Sequence, residues 1–148
     1  MNSPQVGWNA SSETGVVAAG GAQAVEAGIH ILNEGGNAAD AAAATILALN
    51  VTDHGACSIG GEVPVLIYNA QDGKVKSLSG QGRAPLSEAA IAWYMKNGIP
   101  DRNIKMAPVP SVVDLCITML QQYGTNTFEE TVTPTLNLLA ADEESWHK

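Results

Sequence analysis

The apolar residues Val25, Ile29 and Leu32 recur at spacings of four and three along residues 22–33, which places them on one face of a helix. Gly35 and Gly36 follow, and glycine closes helices cheaply because it tolerates left-handed backbone angles. Asn37 restarts the chain as an N-cap, and Asp40 puts a carboxylate into the positive first turn of the next helix. Residues 38–49 are dominated by alanine, which favours helix and leaves thin sides for close packing. This second helix is expected to be buried. After a Ser58-Ile59-Gly60-Gly61 turn, residues 63–68 and 74–78 read as strands flanking Asp72-Gly73, a pair with the backbone freedom a hairpin requires. A further short strand is expected over residues 15–19.

The second half reads as helices separated by turn signals. Ser87 caps a third helix that runs to Asn97 and stops at Gly98. Residues 101–110 hold two prolines and are expected to be irregular. Ser111 and Asp114 have the spacing of a capping arrangement, and Val112, Leu115, Cys116, Met119 and Tyr123 form the apolar face of a fourth helix ended by Gly124. Thr127 and Glu130 match a capping box for a fifth helix, which Pro134 is expected to divide from a sixth piece through Leu138 and Leu139. No internal repeat or linker is visible, so residues 1–148 read as a single domain, with 1–14 as a flexible arm.

Composition narrows the function classes. With 148 residues, 45% of them hydrophobic, the chain suffices for one domain with a real core. A net charge of −8 argues against nucleic acid and against anionic membrane surfaces as partners. Residues 1–12 show neither the basic cluster nor the apolar run of a leader, and no stretch reaches the roughly 20 apolar residues that span a bilayer. The chain as given therefore reads as soluble and cytoplasmic, or as exported if a leader has been removed. Cys57 and Cys116 have no metal-site or redox spacing and read as reduced, buried side chains. His30, His54 and His147 have no catalytic or metal partner nearby in sequence. No zinc, phosphate-loop or dinucleotide signature is present, so no cofactor and no metal is expected.

Taken in order, these elements carry a family likeness. The residue 15–19 strand, the capped helix, the Gly35-Gly36-Asn37-Ala38-Ala39-Asp40-Ala41 link, the alanine helix, the Ser58-Ile59-Gly60-Gly61 turn and the following strand are similar to the opening of the gamma-glutamyltranspeptidase large subunit. Ala84-Pro85, Val109-Pro110-Ser111, Tyr123-Gly124 and Thr133-Pro134 extend the resemblance to about residue 141. It implies an α+β fold: one half of the αββα sandwich of N-terminal-nucleophile hydrolases, with helices packed on an antiparallel hairpin or sheet. It also implies gamma-glutamyl amide hydrolysis or transfer on glutathione-type substrates.

The chemistry of the resembled family rests on a threonine freed by self-cleavage of a precursor, its own amine serving as base, in a Thr-Thr-His motif. No threonine of this chain is followed by Thr-His, and the family's oxyanion glycines also belong to the small subunit. No catalytic residue is therefore expected on this chain, and activity alone is not expected. The large subunit supplies an arginine, three residues before Ala-Pro, that grips the glutamyl α-carboxylate. Gln81 occupies that position here, with Arg83 two residues later, and both are candidate substrate-binding residues. Glu62 and Pro64 stand where the family has further glycine, and Glu62 reads more readily as a solvated acid. The partner implied is a small-subunit-like chain. The alternative is a non-catalytic domain that associates with itself or another partner through an open sheet edge or apolar face.

Overall fold

A computed structural model describes residues 10–53 and 55–146. In chain order these form α1 (Ala22–Asn33), α2 (Ala38–Thr52), β1 (Pro64–Asn69), β2 (Lys74–Ser79), α3 (Glu88–Asn97), a single 3-10 turn (Ile104–Met106), α4 (Val112–Tyr123) and α5 (Phe128–Trp146). None of these helices is long and apolar enough to cross a membrane.

The alanine helix is the spine of the molecule. Ala43, Ala44 and Ala48 of α2 are fully buried, and α1, α4 and α5 all pack against this helix. Small side chains permit that density. At the α1/α2 crossing, a Cβ added to Gly28 would strike the Thr45 hydroxyl and sit 3.2 Å from the Ala41 carbonyl, so glycine is required by close approach. The main core joins Ala39, Ala43 and Leu47 of α2 to Val112, Cys116, Met119 and Leu120 of α4.

The α1/α2 link follows its sequence signals closely. Gly36 N–H donates to the Ile31 carbonyl and Gly35 N–H to the Leu32 carbonyl, with Gly35 at φ +92°, which is the Schellman closure. Asn37 and Asp40 form a reciprocal capping box at the start of α2. Similar signals set α3, where Ser87 accepts from Ala90 N–H and Gly98 stops the helix at φ +71°.

The strands β1 and β2 pair antiparallel, with Val65 opposite Leu78 and Tyr68 opposite Val75. Gly73 supplies φ +65° in the connecting turn, and Lys76 bridges Asp72 at 2.9 Å. Alternation splits the hairpin into two faces. Val65, Ile67 and Leu78 pack on the helical core. The opposite face leaves Leu66, Tyr68 and Val75 at 77%, 67% and 63% exposure.

Several expectations are corrected. Residues 15–19 form no strand: they carry no regular secondary structure, Val17 packs on Ile31, Ala41 and Ala44, and no strand among the described residues pairs with them. Ser111 makes no side-chain cap; its hydroxyl donates to the Val109 carbonyl instead. Pro134 does not divide the last helix, which is continuous from Phe128 to Trp146. The carbonyl that a normal residue 134 would have bonded belongs to Glu130, which is exposed, so water can satisfy it while packing on α2 holds the helix together. Cys116 is buried as expected, but Cys57 is only half-buried; neither forms a disulfide. The arm expected over residues 1–14 lies outside the described residues up to residue 9.

Candidate functional site

The conspicuous Gly-Asn-Ala-Ala-Asp segment turns out to be a structural junction. Asp40 is fully buried. Its carboxylate accepts from Asn37 N–H at 2.8 Å, from Thr125 N–H at 2.9 Å, from the Thr125 hydroxyl at 2.7 Å and from Asn126 N–H at 3.1 Å. Asn37 Nδ2 donates in turn to the Tyr123 carbonyl at 2.7 Å. Two side chains thus tie the start of α2 to the end of α4 and the approach to α5. The fit is tight, because a Cβ at Gly124 would run into Asp40 Oδ1. Burial pushes the Asp40 pKa up, but the Asn37 N–H, the Thr125 hydroxyl and the N–H groups of Asn126 and Thr125 outweigh it and hold the carboxyl below its ordinary value of 3.8. A cleft of about 440 Å³ lies against this junction, where Asn37 and Thr125 are already engaged.

The loop carrying Gln81 and Arg83 lies at the other end of the hairpin. Gly80 is buried and extends the ladder, donating to the Val63 carbonyl at 2.9 Å. Its missing Cβ would sit 2.6 Å from the Leu115 side chain. A Cβ at Gly82 would collide with the Val109 carbonyl. Gln81 is therefore held between two positions that only glycine fits.

Gln81 is exposed, and its Nε2 donates to Glu62 Oε1 at 3.0 Å. Glu62 follows directly on the turn that Gly61 closes by donating to the Ser58 carbonyl at 2.8 Å. The structure therefore brings together the Gln81 loop and the glycine turn, and Glu62 is engaged by Gln81 although its side chain is solvated. Arg83 is exposed and makes no hydrogen bond or ion pair among the described residues. His30 is exposed on α1, whereas His54 and His147 lie outside the described residues. Among the described residues no group of three His, Cys, Asp or Glu side chains is placed to hold a metal.

The family model for gamma-glutamyltranspeptidase matches residues 24–141, from the middle of the first helical turn of α1 to the last helix. The chain belongs to the gamma-glutamyltranspeptidase family. It is 32% identical over 130 residues to the glutathione hydrolase proenzyme of Bacillus subtilis (strain 168), a match covering 84% of this chain and 22% of that protein. The glutathione hydrolase proenzyme of Escherichia coli (strain K12) is 31% identical over 132 residues, 86% of this chain and 23% of its own length. Among solved structures, the Helicobacter pylori gamma-glutamyltranspeptidase superimposes with TM-score 0.71 at 28% identity, over 88% of this chain and 38% of the other. A cephalosporin acylase from Bacillus halodurans matches with TM-score 0.70 at 30% identity, over 93% of this chain and 27% of the other. The chain thus spans little more than a fifth of the length of these curated relatives. Its helices and two-stranded antiparallel sheet are part of the N-terminal-nucleophile hydrolase fold of the family.

Within the gamma-glutamyltranspeptidase frame, the long-range role of Asp40 was not legible from its sequence position. Asp40 read as a first-turn carboxylate, and it does hold Asn37 N–H locally, but it also binds residues 85 and 86 positions away. The only local trace was Gly124 directly before Thr125 and Asn126, a glycine whose purpose becomes clear once Asp40 is seen against it.

Proposed function

We propose that this chain is the N-terminal part of a gamma-glutamyltranspeptidase-like large subunit, inactive alone, that serves gamma-glutamyl amide hydrolysis or transfer only when joined to the rest of such an enzyme. The threonine nucleophile, its amine base and the oxyanion donors would come from a small-subunit-like chain. The observation carrying this reading is the uncovered outer face of the hairpin, with Leu66, Tyr68 and Val75 exposed on a sheet whose other face is already packed on helices. A two-layer half with a bare apolar sheet face suits burial under a second sheet. Gln81, with Arg83 close behind it in sequence, would face the acyl end of the substrate. An amide there carries no charge, so an acyl group without a free α-carboxylate is preferred unless Arg83 supplies the missing charge.

A chimera tests this. Residues 24–141 should replace the matched segment of the Bacillus subtilis proenzyme and still give a precursor that cleaves itself, seen as two bands on a denaturing gel. The second reading, a non-catalytic domain that self-associates, draws on the same bare face and on α3, where Ile91 and Met95 are exposed. A chimera that stays uncleaved, while light scattering finds the isolated chain as a stable dimer, would favour that reading over ours.

A further inference from the structure

The third helix stands apart from the core, since no residue of α3 is buried. Its half-buried side, with Trp93 and Tyr94, faces the loop that returns after it. The Tyr94 hydroxyl donates to the Lys105 carbonyl at 2.6 Å, the Lys105 ammonium lies 3.8 Å from the centre of the Trp93 ring, and the two rings meet edge-on at 5.1 Å. These contacts brace the helix and occupy its inner side. The opposite side is bare. Ile91 is 49% and Met95 83% exposed, Ala92 is exposed between them, and Ile99, just past the helix end, is 76% exposed. An apolar strip this open marks an interaction surface.

The charges on this strip say what covers it. Glu88, Ile91, Ala92, Met95 and Lys96 recur at i, i+3, i+4, i+7 and i+8, the spacing of one helix face. Glu88 and Lys96 are exposed, and neither side chain is in an ion pair or hydrogen bond among the described residues. Eight positions apart, about 12 Å along the axis, they are out of each other's reach. A second copy laid antiparallel, with Ala92 at the crossing, supplies what each lacks. Each Glu88 then meets the second copy's Lys96, and each Met95 enters between the second copy's Glu88 and Ile91. The small Ala92 lets the two backbones approach at the axis. A face that complements itself under a two-fold rotation fits another copy of the same chain. Residues 83–105 also hold four of the seven basic residues and only two of the fifteen acidic ones, so the acidic surplus that keeps copies apart lies elsewhere. The bare hairpin face of Leu66, Tyr68 and Val75 has no such charge pair to fix an orientation.

We propose that the outer face of α3 is a two-fold interface between copies of this chain, with apolar packing of Ile91 and Met95 about Ala92 and reciprocal Glu88–Lys96 pairs at its ends. A ten-residue helix is about 15 Å long, so the interface is small and the dimer weak, with a Kd of roughly tens of micromolar. The interface uses neither the outer hairpin face nor Gln81 and does not rest on the hydrolase reading. That reading fails on an uncleaved chimera, and this one fails on self-association.

Sedimentation equilibrium of the intact chain tests this, at about 0.1 M salt, where charges more than about 10 Å apart are screened. The wild-type chain should show a monomer–dimer equilibrium in the micromolar range. Glu88→Lys and Lys96→Glu each place like charges opposite one another twice, and each should weaken the dimer about tenfold. Mixed in equal amounts, the two variants should associate with near wild-type affinity, because each carries the charge that the other lacks. Their net charges of −6 and −10 sum to the −16 of two wild-type chains at −8, so overall repulsion does not explain the recovery. Met95→Ser should weaken the dimer comparably, whereas Leu66→Ser on the hairpin should leave it unchanged. Because no residue of α3 is buried, thermal melts of the three α3 variants should stay close to wild type. A chain that remains monomeric, charge variants that dimerise as tightly as wild type, a mixture no tighter than its components, or a dimer dissolved by Leu66→Ser would each overturn the proposal.

Discussion

Asp40→Ala should destabilise the chain by about 4 kcal/mol, because it removes a buried carboxylate that holds part-buried donors on two separate segments at once. The N–H groups of Asn37, Thr125 and Asn126 and the Thr125 hydroxyl all lose their acceptor, and with it the link between the start of α2 and the approach to α5. In a chain of this size that corresponds to a fall in Tm of roughly 15 °C. Asp114→Ala is the control. Asp114 is also an acid in the first turn of a helix, but it is exposed, so its loss should stay within about 0.5 kcal/mol. The same carboxylate sets an acid limit. Its folded-state pKa is depressed below 3.8, so its contribution is fully present above that value and is lost as pH falls through the folded pKa. Thermal melts should show wild-type stability dropping below about pH 4 with a slope that Asp40→Asn flattens.

The second large effect concerns the acyl site in the Bacillus subtilis chimera. Gln81→Arg should raise kcat/KM for a gamma-glutamyl anilide, since a guanidinium offers paired donors and a full charge to the α-carboxylate. Glu62 complicates the gain. It lies 3.0 Å from the Gln81 amide and would compete with the substrate carboxylate for the new arginine. The single substitution should therefore give about tenfold and the pair Gln81→Arg with Glu62→Gln about a hundredfold, or roughly 1.4 and 2.7 kcal/mol of transition-state stabilisation. Arg83→Ala should matter little beside these. If Arg83→Ala alone abolished glutamyl turnover, Arg83 would be the clamp and Gln81 a bystander.

Local signals carried most of the fold. The closure at Gly35, the capping box of Asn37 and Asp40, the Gly73 turn, and the Ser87 and Thr127 caps each depend on residues within a few positions, and each is present in the structure. What the sequence concealed was non-local. Strand character at residues 15–19 requires a pairing partner, and none stands beside them among the described residues. Ser111 had the right spacing, but its hydroxyl is taken by Val109. Pro134 was a correct local objection overruled by tertiary packing and an exposed carbonyl. The site followed the same division. Gln81 and Arg83 could be located from the Ala84-Pro85 that follows them, whereas the Glu62 contact joins residues 19 apart across a hairpin. The two glycines that fix Gln81 meet Leu115 and Val109, contacts that no pattern within the loop reveals.

The most direct test of the account is turnover of a gamma-glutamyl anilide by the purified chain alone. No rate above the uncatalysed background is predicted, because no Thr-Thr-His nucleophile is present to be activated. Turnover that tracks this chain through successive columns, and disappears when the chain is unfolded, would contradict it.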